Sequence, residues 1–334
     1  MNILLLLTGG TICSFENENG ERVSDTKKAQ ALIVKNFKKS SSEYRNTHFK
    51  TVKVLNVLSE NMTVTHWNTF IKKFKKYDLS LYDGVIILHG TDTLAYTSSL
   101  LSMLLAGTRI PIMLVSSAQP IYEKNANGNE NFKASVELIA KGISPNVYAV
   151  YQNTDGITYL HLGSHLLQCQ NGSCDFFSYD MSPVDKASFN AKASVVEMPV
   201  YSLEKLLPDV LYLTPYTGIN YSLYSLRGVR AVLHGTYHSQ TAAAFPKNSR
   251  HSLIAFKKKC DKFNVPLFLC PCDSEAYDYE TTGEILRHGA VGISNITTET
   301  AYAKILIGVS VGLTGDALKK YISTEINGEF IKNS

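Results

Sequence analysis

I-L-L-L-L-T-G-G-T-I, residues 3–12, and V-I-I-L-H-G-T-D-T, residues 85–93, decide how this chain folds. In each, a short apolar run with the character of a parallel strand buried on both faces ends at a glycine that lets the backbone turn sharply. The two turns carry hydroxyls at Thr11 and Thr91 and a carboxylate at Asp92. In a doubly wound sheet the first and third strands are often neighbours where the winding reverses, so their carboxyl ends share one crevice. L-S-E-N-M, residues 58–62, follows the second strand and brings Ser59 to the same rim.

Outward from these motifs, strand and helix patterns alternate. Strands are expected at 3–7, 53–57, 85–88, 112–115 and 147–151, with helices at 29–38, 64–76, 94–106 and 132–140 between them. Such alternation implies right-handed crossovers and a parallel sheet. Thr91 or Asp92 is expected to cap the third helix, which should stop before Gly107. Residues 154–177, with Asp-Gly and Asn-Gly pairs, read as a hairpin excursion, and the polar stretch 182–205 as a linker. Beyond it, strands are expected at 210–213, 231–233 and 266–269, and helices at 252–263, 298–307 and 316–322. The fold class expected is α/β: a larger N-terminal domain with a doubly wound, mostly parallel sheet (1–185), a linker (186–205) and a smaller C-terminal α/β domain (206–334).

Composition narrows the partners. The 334 residues are 44% hydrophobic and 19% charged with a net charge of +4, ordinary values for a globular protein. The lysines at 72–76 and 257–259 sit at helical spacing beside apolar residues and read as solvated faces, which argues against a nucleic-acid partner. No apolar run is long enough to span a bilayer, and Met1 to Leu7, lacking a basic segment before it and a cleavage site after it, reads as a strand. The six cysteines show no framework spacing and suit a reducing compartment, so the expected location is the cytoplasm. Cys270 and Cys272 read as buried, inert thiols, and His161 and His165, four apart in a hairpin, do not share a face, so no metal is expected. T-G-G-T lacks the glycine spacing of dinucleotide and phosphate loops, and no cofactor is expected.

A threonine hydroxyl is a weak nucleophile that needs a base or relay, and hydroxyls beside free N–H groups at strand ends suit a small carboxylate ligand. With T-G-G-T-I first, L-S-E-N-M next, then H-G-T-D-T-L-A-Y-T-S (89–98) and finally I-T-T-E-T-A-Y-A-K-I (296–305), the chain resembles the bacterial-type L-asparaginases and their glutaminase and amidotransferase relatives over nearly its whole length. The resemblance implies hydrolysis of a small amino-acid amide through an acyl-enzyme. Thr11 would match the attacking threonine, and Thr91 and Asp92 the second threonine and its aspartate. Ser59 and Asp92 would hold the substrate's α-carboxylate and α-amine, with Gly10 and Glu60 beside them. It also implies a homodimer or homotetramer, because sites in that family lie between subunits.

The departures are specific. The family lysine that works with the second threonine falls, by spacing from Gly163, at Gln168, and residues 151–185 contain neither Lys nor Arg. A glutamine amide cannot shuttle a proton near neutral pH, and Asp92 loses its cation. The loop 14–28 lacks the tyrosine found in many family members; Glu21 stands near its place. Lys124, His165, His234 and His238 are the possible substitutes. An amino-acid-binding or regulatory protein of the same fold is therefore the second expectation.

Overall fold

The apolar run that opens the chain becomes β1 (Asn2–Gly9), buried from Ile3 to Gly9. The computed structural model describes residues 1–186 and 199–331. A short antiparallel hairpin follows β1, β2 (Ser14–Glu16) with β3 (Arg22–Ser24). Then β4 (His48–Val57), β5 (Gly84–Leu88), β6 (Ile112–Val115), β7 (Val147–Gln152), β8 (Thr158–Leu162) and β9 (Ser182–Pro183) assemble with β1 into one sheet. Its order is β4-β1-β5-β6-β7-β8-β9. The first five of these pair parallel and the last two are antiparallel additions.

The winding reverses at β1. It takes β4 on one flank, Leu5 opposite Thr51, and β5 on the other, Leu7 opposite Leu88, so the turns after β1 and β5 open side by side as the sequence leads one to expect. Crossovers α1 (Thr26–Ser40), α2 (Val64–Phe74), α3 (Leu94–Leu104) and α4 (Gly128–Ala140) connect the parallel strands. Side chains alternate across a strand: Ile3, Leu5 and Leu7 pack with Ile33 and Phe37 of α1 and Phe132 and Val136 of α4. On α2, Trp67 donates its indole N–H to Thr97 of α3 at 3.1 Å.

Three expectations are corrected here. The second strand begins five residues earlier, at His48, because it is the sheet edge and its outer half alternates between exposed and half-buried residues rather than reading as an apolar run. Helix α4 begins at Gly128, with a polar first turn that hides its start. The N-cap of α3 is Thr93, with no side-chain cap bond, so neither Thr91 nor Asp92 caps that helix. The carboxylate of Asp92 is drawn instead to Ser59, described below. Most of the expected linker 186–205, namely 187–198, lies outside the described residues, and its end forms α5 (Pro199–Ser202).

By compactness the chain divides into Met1–Ser202 with Ile326–Gly328, and Leu203–Glu325 with Glu329–Ser334. The second unit holds a four-stranded parallel sheet, β10 (Val210–Leu213), β11 (Ala231–Gly235), β12 (Leu267–Cys270) and β13 (Val291–Gly292), in that order. Its helices are α6 (Leu253–Lys262), α7 (Glu280–Arg287), α8 (Thr298–Ser310) and α9 (Gly315–Ser323). One face packs Val232, Leu267 and Leu269 against α6; the other packs Ala231, Leu233 and Phe268 against α8 and α9. No helix among the described residues is long and apolar enough to cross a membrane. All six cysteines are free.

Candidate active site

Three strand ends meet so closely that only glycine fits between them. Gly10 has φ +81°, and a Cβ built on it would lie 2.1 Å from Gly90 Cα; one built on Gly90 would lie 2.3 Å from Ser59 Oγ. The main-chain N–H of Gly10 donates to Val57 O at 2.8 Å, and Thr8 Oγ1 donates to Leu88 O at 2.8 Å. The loops after β1, β4 and β5 are thus one welded floor, and Thr11 and Thr91 each stand one residue beyond a glycine of the touching pair.

On this floor Ser59, 2% exposed, uses its hydroxyl twice. Oγ donates to Asp92 Oδ2 at 2.9 Å and accepts from the Asp92 N–H at 3.1 Å. Thr93 Oγ1 donates to Ser59 O at 3.0 Å, closing the clamp. The Ser59 proton is therefore committed to Asp92. Beneath the turn His89 is fully buried; its Nδ1–H donates to Gly90 O at 2.8 Å, and burial pushes its pKa down to about 4. It is neutral at pH 7 and holds the turn without adding charge.

Thr91 and Asp92 line a cavity of about 340 Å³ together with Ala118, Tyr151, Gln168 and the loop that runs through Cys169 and Cys174 to Phe176. That is near the small end of ligand-site volumes, roughly 300–1,000 Å³. Gln168 Nε2 donates to Asp92 O at 2.7 Å, so an amide, rather than a cation, meets the main chain of the second motif. Among the described residues Asp92 makes no ion pair.

The other expected residues are dispersed. Thr11 is half-buried at the start of a 3-10 turn, its carbonyl accepting from Ser14 Oγ at 2.9 Å, and is not among the residues lining the cavity. Glu60 is exposed on the turn after Ser59. Glu21 is exposed at the end of the β2–β3 hairpin loop, where its Oε2 accepts from Asn17 Nδ2 at 2.9 Å. Lys124 is exposed on the loop before α4 and does not line the cavity. His165 is buried and pairs with Asp180 at 3.1 Å, while His161 Nδ1 meets Ser178 Oγ at 2.9 Å. His234 is buried in the second unit against Tyr221 OH at 2.9 Å, and His238 belongs to the same unit. Cys270 and Cys272 are buried thiols raised by desolvation, and no group of three metal-ligating side chains forms among the described residues.

Sequence reasoning missed Tyr151, Cys169 and Cys174 as cavity residues. Tyr151 is the next-to-last residue of β7 and packs edge-on against Phe176 at 4.8 Å; its place near a strand's carboxyl end was the available signal.

A protein family described as Asparaginase, N-terminal, matches residues 2–199. An L-asparaginase of Thermococcus kodakarensis is 34% identical over 156 residues, 46% of this chain and 44% of that protein, so this match spans under half the relative's length. A component of the glutamyl-tRNA(Gln) amidotransferase of Methanobrevibacter smithii is 26% identical across 100% of this chain and 78% of its own length. Among solved structures, the thermostable L-asparaginase from Thermococcus kodakarensis superposes with a TM-score of 0.79 at 22% identity, covering 100% of both chains, and shares the fold.

Proposed function

The chain belongs to the asparaginase family, and from that premise we propose that it hydrolyses the side-chain amide of asparagine, or of a related small amide, to the acid and ammonia. The single observation that supports this most is the Gly10–Gly90 contact, which sets the Thr11 and Thr91 turns side by side. In this reading Thr11 Oγ1 attacks the amide carbon, ammonia leaves, and water then hydrolyses the threonyl ester. Thr91 and Asp92 form the second polar pair, and the Ser59–Asp92 clamp at 2.9 Å anchors the amino-acid end of the substrate. Gly10 and Glu60 complete that end, and the assembly is a homodimer or homotetramer acting without cofactor.

The test is ammonia release from asparagine, glutamine and short amides by the purified protein beside Thr11→Ala. Ammonia from the unaltered protein and none from the variant is the expected result; equal release from both would end the threonyl-ester reading.

A second reading is favoured by one contact, the Gln168 amide where a proton carrier would stand. In it the chain binds a small amino acid and turns it over poorly or not at all, as a regulatory protein would. Calorimetry that detects asparagine binding with no product would select this reading over the first.

A further inference from the structure

C-Q-N-G-S-C, residues 169–174, forms one wall of the cavity that holds Thr91 and Asp92, and no step of the reaction above uses its two thiols. The segment closes on itself: Gly172 has φ +80°, and Ser173 N–H donates to Gln170 O at 3.0 Å. Inside the turn the Cys169 thiol lies 3.3 Å from Ser173 O and 3.2 Å from Asp175 O. Its sulfur is thereby held against the carbonyls of the two residues that flank Cys174, close enough for the charge of Cys174 to act on it. Cys174 is exposed, whereas Cys13, Cys260, Cys270 and Cys272 are buried.

We propose that Cys169 and Cys174 are a reversible oxidation site for peroxides, whose disulfide reshapes the wall of the amide-binding cavity. Cys174, the accessible thiol, reacts first. Its thiolate forms an S–O bond with hydrogen peroxide as the O–O bond breaks; the departing hydroxide takes up a proton and leaves as water, and the sulfur, oxidised by two electrons, becomes a sulfenic acid. Cys169 then loses its proton and attacks that sulfur. The S–S bond forms, the S–O bond breaks, and a second water leaves, so that two thiols and one peroxide give one disulfide and two waters. Partial burial holds the Cys169 thiol above its ordinary pKa, which suits a resolving partner better than a first target.

The mechanical consequence follows from the loop being fixed at both ends. Thr154 N–H and Oγ1 donate to Asp175 Oδ1 and Oδ2 at 2.7 and 2.8 Å, and Asn153 exchanges two hydrogen bonds with the Phe176 main chain at 2.9 and 3.0 Å. On the near side Leu167 N–H donates to Phe177 O at 2.9 Å, so the pull of the new bond is taken up between the two anchors, where Gln168, next to Cys169, is joined to the active-site turn by its side-chain hydrogen bond to Asp92 O. Loss of one such bond is worth about fivefold in binding or rate.

As regulation of the proposed amide site, this inference rests on that reading, and the experiment separates the two. The full chain is treated with a small excess of hydrogen peroxide, then assayed by thiol titration, peptide mass mapping, hydrogen exchange of the 165–176 segment, and asparagine turnover or binding. The expected result is loss of two thiols of six, a Cys169–Cys174 cross-linked peptide, altered exchange in the segment, and a fall of about fivefold in turnover or binding. All of these should be reversed by dithiothreitol and absent in Cys174→Ser. Six thiols surviving, over-oxidation without a cross-link, or a cross-link that leaves the exchange unchanged overturns the proposal. A cross-link with altered exchange in a protein that neither turns over nor binds asparagine, glutamine or short amides supports the oxidation site and overturns the amidase reading instead.

Discussion

Replacing Gln168 by lysine is expected to raise amide turnover by about a hundred- to ten-thousandfold, the range supplied by one positioned proton-transfer group. The site is prepared for it. The Gln168 side chain already reaches the main chain of the Thr91–Asp92 turn, with Nε2 2.7 Å from Asp92 O, and a lysine side chain extends one bond further along the same path. There an ammonium brings a cation to the Thr91–Asp92 turn and gives Thr91 a group able to carry a proton. The measurement is kcat for ammonia release in Gln168→Lys and the unaltered chain, with circular dichroism as a folding control. A folded variant with unchanged kcat would mean that the missing cation is not what limits this site.

Acidification is expected to destabilise the protein steeply between about pH 6.5 and 4. His89, His161 and His234 are buried, and desolvation lowers each from 6.5 to about 4. The unfolded chain therefore binds more protons than the folded one throughout that window, and stability falls as pH drops through it, with no such loss above pH 7. Each histidine contributes up to about 1.4 kcal/mol per pH unit. Two of them lie in the first compact unit and one in the second, so the first unit should weaken about twice as fast. Denaturant midpoints at pH 7.5 and pH 5, followed separately for the two units, test this; equal midpoints at both values would exclude buried neutral histidines.

The parallel core was readable because its strands are apolar on both faces: Ile3 to Leu7 and Val85 to Leu88 are at most 2% exposed, and such runs admit few other placements. The edge of the same sheet was harder, since His48 to Thr51 alternate in exposure and carry no continuous apolar signal. In the second unit α7 and the two-residue β13 escaped notice, the helix because E-T-T-G-E-I-L-R reads as polar and the strand because it is too short to show a period.

At the site, the motif hydroxyls were legible but their commitments were not. Asp92 looked like a helix cap, as its place before α3 suggests, and that local role lost to Ser59, 33 residues away. The cavity wall was less legible still. It forms because Asn153 and Thr154 tie down Phe176 and Asp175, contacts 21 to 23 residues apart between segments with no shared pattern. Local sequence carries propensity and periodicity; a wall held by distant polar pairs leaves neither trace.

The close approach of Gly10 to Gly90 also constrains how this protein can change. A junction made of bare main chain offers natural variation no side chain to enlarge, shrink or recharge, so this meeting of strand ends is effectively immutable. Change in what the neighbouring cavity accepts has to be written into its wall, above all the exposed turn from Gln170 to Cys174, where residues can be exchanged without disturbing that junction.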